Sequence, residues 1–153
     1  MNSEQKSKLL KGAALTGVIN AVINGGIQYF FLKGHSSIPI SVDSITNTTE
    51  TVLGTAVMLA ITLSMILTLV AYFGIKGKKA ALFPTTFLLT LKHGFVTFGI
   101  LTSLAVVWQK YMGTVEVSLV AALIIIGVIA GLVSGFVNYF TLKESVISEE
   151  QNR

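Results

Sequence analysis

An all-α membrane protein, a bundle of four transmembrane helices with both termini in the cytoplasm, is the fold class that three observations predict. Hydrophobic residues make up 52% of the 153-residue chain, charged residues only 12%, and the mean hydropathy is +0.76. That leaves too little polar surface to cover a soluble globule. The apolar residues fall in four continuous runs, each near or above the ~20 residues that cross a hydrocarbon core about 30 Å thick. Lysines gather at one end of these runs, the asymmetry that sets membrane orientation.

The runs cover residues 10–32, 51–74, 84–108 and 117–141 of a single membrane domain, 1–153. Run 1 has Lys6 and Lys8 before it and Lys11 at its start. It is much longer than a signal peptide's apolar core and has no small-residue cleavage site, so it is expected to be retained. Run 2 follows an outer loop, 33–50, rich in Ser, Thr and Asn. There the spacing of Asn47 and Glu50 predicts a capping box, and the loop is expected to fold back onto the bundle. Asn47-Thr48-Thr49 also matches a glycosylation acceptor, a triplet common by chance. Lys76, Lys78 and Lys79 separate runs 2 and 3, which places this loop with the N-terminus on the cytoplasmic side. Tyr29, Phe30, Phe31, Tyr72, Phe73, Trp108 and Tyr111 stand near run ends, where aromatic rings favour the headgroup region. The length and composition point to integration into a bacterial inner (plasma) membrane.

The first and last runs resemble each other. Gly17-Val18-Ile19 matches Gly127-Val128-Ile129, Gly25 matches Gly135, Tyr29-Phe30 matches Tyr139-Phe140, and Leu32-Lys33 matches Leu142-Lys143, without a gap. In a four-span topology these helices are antiparallel, so a true repeat would be inverted, as in many secondary transporters. Two ladders survive the alignment. The small one is Ala13, Gly17, Ala21 and Gly25 in helix 1 and Gly127, Gly131 and Gly135 in helix 4, a pattern that admits another backbone at close range. Left free after packing within the chain, such ladders would suit a homo-oligomer. The polar one is Thr16, Asn20, Asn24 and Gln28, with counterparts Ser134 and Asn138.

Asn20 and Asn24 fall near mid-membrane, where an unpartnered amide costs several kcal/mol, so they face protein or water. They either bond neighbouring helices or, with Gln28 and Asn138, line a path for a polar solute. Lys92 and His93 are the strongly ionisable residues well inside an apolar run, away from its ends. Lys92 has two readings, an inner-side cation for an anionic solute or a lysine snorkelling to the interface. His93 shares a stripe with Thr86, Thr90 and Thr97.

Several classes are disfavoured. No Asp or Glu lies within a run, which argues against a carboxylate proton relay. With no cysteine, disulfide and thiolate chemistry drop out, and with two histidines in different segments neither a transition-metal site nor a cofactor is expected. Ser64, Ser103 and Ser134 have no nucleophile elbow or acidic partner, so no catalytic residue is assigned. The net charge of +4 comes from lysines beside apolar runs, and no nucleic-acid partner is expected. The expected partners are the lipid bilayer and either further copies of the chain or another membrane protein. The reading is a small transporter or channel subunit for a polar or anionic solute, with a non-transporting accessory or assembly subunit as the alternative.

Overall fold

A computed structural model of the chain describes residues 3–42, 50–75 and 81–151, with side chains as far as residue 144. It contains helix α1 (Ser3–Leu32), strand β1 (Ser37–Ile40), helix α2 (Val52–Gly74), helix α3 (Phe87–Met112), strand β2 (Val115–Ser118) and helix α4 (Leu119–Gln151). A π-helical turn, Leu82–Thr86, leads into α3. Four helices are long and apolar enough to cross a membrane, and the chain is an all-α integral membrane protein of four spans.

The boundaries differ from the apolar runs for local reasons. α1 begins seven residues before its run, in a polar stretch where Glu4 and Lys8 pair at 2.9 Å with helical i, i+4 spacing. α4 likewise continues past its run, to Gln151. Asn47 lies outside the described residues. The N-cap of α2 is instead Thr51, whose Oγ1 accepts the Gly54 N–H at 3.2 Å. The same hydroxyl donates to the Ser41 carbonyl at 2.8 Å, which ties the outer loop to the helix.

That loop also carries structure that periodicity in the apolar runs does not announce. β1 and β2 pair antiparallel, Ser37 opposite Ser118 and Ile40 opposite Val115. Alternation along β1 turns Ile38 and Ile40 to one face. They are buried in a cluster with Leu32, Val52, Ala122 and Ile126, so the ribbon closes over the ends of α1, α2 and α4.

The helices form a row in the order α1, α4, α2, α3, with only slight contact between α3 and α4. α4 is therefore the shared wall, and α1 and α3 are the least covered helices. One edge of α4 is a buried stripe of mostly small residues, Ala122, Ile126, Ala130, Ser134, Val137 and Thr141, which starts in the cluster containing Val52 of α2.

The seam between α1 and α4 is backbone against backbone. A Cβ placed on Gly17 would lie 2.8 Å from the Gly131 carbonyl oxygen, one on Gly127 3.0 Å from that of Ala21, and one on Gly135 3.2 Å from that of Ala13. Gly25 is looser, 3.7 Å from the Leu123 carbonyl oxygen. The contacts step four residues up α1 for every four back along α4, the geometry of antiparallel small-residue packing. They also respect the internal similarity. Gly17 meets Gly131, whose counterpart is Ala21, and Ala21 meets Gly127, the counterpart of Gly17. Ala13 meets Gly135 while their counterparts, Leu123 and Gly25, meet each other. Exchanging the two helices thus maps the contacts onto themselves, a pseudo-two-fold relation. The ladders are seated on each other within the chain and not left free for another copy.

Candidate functional site

Four of the six polar rungs stand one residue before a ladder position. Thr16, Asn20 and Asn24 precede Gly17, Ala21 and Gly25, and Ser134 precedes Gly135. One residue is about 100° around a helix, so these side chains leave the contact line on one flank. Residues one place after the ladder, Ala14, Val18, Val128, Leu132 and Phe136, line an apolar groove on the other flank, with Phe140 one turn beyond them. In a pair related by exchange, corresponding positions of both helices emerge on the same side. The two polar ladders therefore merge into one file.

The antiparallel register fixes their sequence along the seam. Starting at the end that holds both termini, the file runs Asn138, Ser134, Thr16, Asn20, Asn24, Gln28. By the same register Asn138 is level with Leu10, so the file extends roughly 27 Å at 1.5 Å per residue, close to the ~30 Å of a hydrocarbon core. Ser134 is fully buried and Asn24 nearly so, whereas Thr16, Asn20, Gln28 and Asn138 are half-buried.

Hydrogen bonding in the file is mostly local. Asn20 Nδ2 donates to the Thr16 carbonyl at 2.9 Å, and Asn24 Nδ2 donates to that of Asn20 at 2.8 Å. Ser134 Oγ donates to the Ala130 carbonyl at 2.6 Å. These bonds occupy donors on the helix's own backbone and leave the amide oxygens of Asn20 and Asn24 for other partners. Asn138 is the sharpest case, because its Oδ1 is buried and accepts no hydrogen bond from the described residues. A buried acceptor in that state costs about 1–3 kcal/mol, so the position calls for a reason beyond packing.

The candidates on α3 lie elsewhere. His93 is buried between α3 and α2, with Nδ1 2.8 Å from Thr68 Oγ1. The Thr68 hydroxyl already donates to the Ser64 carbonyl at 2.7 Å. Its single proton is spent there, so Nδ1 takes the donor role in the contact. His93 is thus a bond between two spans, alongside Thr86 and Thr90, which are buried on the same stripe. Lys92 points outward, 64% exposed, and its Nζ lies 3.4 Å from Glu144 Oε1 at the end of the α4 span. The charge that was to attract an anion faces a carboxylate. Glu144 is inconspicuous in the sequence because it falls three residues past the apolar run.

The structure therefore gathers Asn20, Asn24, Gln28 and Asn138 along one seam and separates them from Lys92 and His93. Gly17, Gly127, Gly131 and Gly135 set the close approach that aligns the file, with Gly25 at its looser end. Among the described residues no group of three His, Cys, Asp or Glu side chains is placed to hold a metal ion. No family model matches the chain, and no curated protein and no solved structure matches it significantly.

Proposed function

We propose that this chain is a subunit of a membrane transporter or channel that passes a small neutral polar solute along the α1–α4 file. The observation that carries this reading is the merging of two polar ladders, one from each antiparallel helix, into a single line of hydrogen-bonding groups as long as the bilayer core. Amides offer both donors and acceptors and suit a solute that exchanges hydrogen bonds as it moves. A line of such groups cannot face lipid. Ser134 and Asn24 are already buried within the chain, so a second copy of the chain covers the half-buried rungs and completes the wall. With Lys92 matched by Glu144, the solute need not be an anion. We assign no catalytic step to the chain and place it in a bacterial plasma membrane.

The test is flux into proteoliposomes, with glycerol, urea and glycine as neutral or zwitterionic solutes and chloride and phosphate as anionic comparators. Asn20→Leu combined with Asn24→Leu should leave a folded protein and abolish flux of the neutral solutes. Unchanged flux in that variant, or no flux of any of these solutes in the wild type, overturns the reading.

A non-transporting accessory subunit is the second reading, favoured by the local bonds of Asn20 and Asn24. If those amides only hold helices together, the double variant loses stability while a partner complex, not a flux, is what disappears.

A further inference from the structure

The flank of the seam opposite the polar file holds a groove of about 660 Å³ between α1 and α4, a volume within the usual range for ligand sites. Its walls include Leu10, Val18, Leu132 and Phe136, and Tyr139 alone among its lining residues has a polar side chain. Those four walls are at least half exposed. The floor is the backbone of Gly17, which is buried, and of Gly131 and Gly135, which are half-buried, so the groove exists because the ladders lack side chains.

Both walls end in a lysine at the same end. Along α1 the groove-facing positions descend through Val18, Ala14 and Leu10, and one turn further comes Lys6. Along α4 they run through Phe136, Tyr139 and Phe140, and the next position on that face is Lys143. The register that seats Gly135 on Ala13, carried on by two turns, brings these lysines level across the mouth. Neither belongs to an ion pair among the described residues, unlike Lys8 with Glu4 and Lys92 with Glu144.

We infer that the groove is a binding site for an anionic phospholipid of the leaflet at the terminal end. An acyl chain lies over the glycine backbone, and the headgroup phosphate sits between Lys6 and Lys143. The groove is embedded at hydrocarbon depth, so its occupant is apolar along its length. The paired cations at the mouth require that occupant to be anionic at one end. A phospholipid meets both conditions, whereas an apolar helix from a second copy would leave the lysines unmatched.

Native mass spectrometry of the detergent-purified protein, titrated with phosphatidylglycerol or phosphatidylcholine, tests this directly. The wild type should retain phosphatidylglycerol preferentially. Lys6→Gln with Lys143→Gln, the first exposed and the second half-buried, should lower that preference by roughly 30-fold, two lysines' worth of attraction. Ala14→Phe, which fills the groove from an exposed position, should reduce adducts of both lipids while helicity and elution volume stay unchanged. Equal retention of the two lipids by the wild type overturns the inference without reference to any variant. So does a dimer mass that replaces lipid adducts and is lost in Ala14→Phe.

Discussion

Gly17 and Gly131 approach until a Cβ on either would lie within 2.9 Å of the other's carbonyl oxygen. No side chain fits there without moving a helix. In a bilayer, where apolar surface alone gives helices no reason to associate, this contact depends on van der Waals fit.

Even one methyl group is therefore expected to matter. Gly131→Ala should lower the thermal midpoint in detergent, with Gly131→Leu costing at least the ~1–3 kcal/mol of an overpacked core. Gly26→Ala is the control, because nothing lies within 4 Å of a Cβ there. It should be neutral or stabilising by about 0.5–1 kcal/mol through helix propensity. Parallel melting of all three proteins would show that the seam is not tight in the molecule as it exists in detergent.

The ribbon end is held differently, by apolar side chains that close over the helix ends. Ile38→Ala should cost about 2–5 kcal/mol, the usual range for a buried Ile to Ala change. Thr51→Val keeps the shape but loses both the cap on Gly54 and the bond to Ser41. A loss of about 0.5–2 kcal/mol follows. Proteolysis of the outer loop measures both, since each change frees the loop from α2 and should raise the cleavage rate.

Orientation rests on the lysines. A reporter fused after Arg153 and one inserted near Lys78 should both register cytoplasmic, and one inserted in the 33–50 loop should register outside. Opposite signals from the first two would contradict four spans.

The spans were legible because the bilayer imposes one strong rule, some twenty apolar residues per crossing, and each run obeys it. The ladders were legible too, since Gly17, Gly131 and Gly135 mark faces at helical spacing. What a face meets is not written beside it. Small-residue faces are generic, so nothing in Gly127 or Gly131 said that the partner was helix 1 of the same chain rather than another copy. The row order was hidden for the same reason, and with it the pairing of Lys92 with Glu144 across two helices. The ribbon was hidden because Val115–Ser118 is too short to show alternation and its partner Ser37–Ile40 lies far back in the chain. Merging of the polar ladders needed the register as well as the rungs, so Asn20 and Asn138 could be named from sequence but not placed in one file.

Asn138 offers the most discriminating test, because its two possible roles predict opposite signs. Its Oδ1 is buried without a hydrogen-bond partner among the described residues, so Asn138→Leu removes an unsatisfied acceptor and replaces it with a side chain of similar reach. By packing alone the variant should be more stable, by up to the ~1–3 kcal/mol that an orphaned group costs. If the oxygen is kept for a passing solute, the same variant should lose neutral-solute flux while melting at a higher temperature, the trade between stability and activity expected at a working site. Thermal midpoint and proteoliposome flux measured on one preparation decide it. A variant that is more stable and transports normally would remove Asn138 from the path. One that is less stable would show that the oxygen has a partner that holds the helices together.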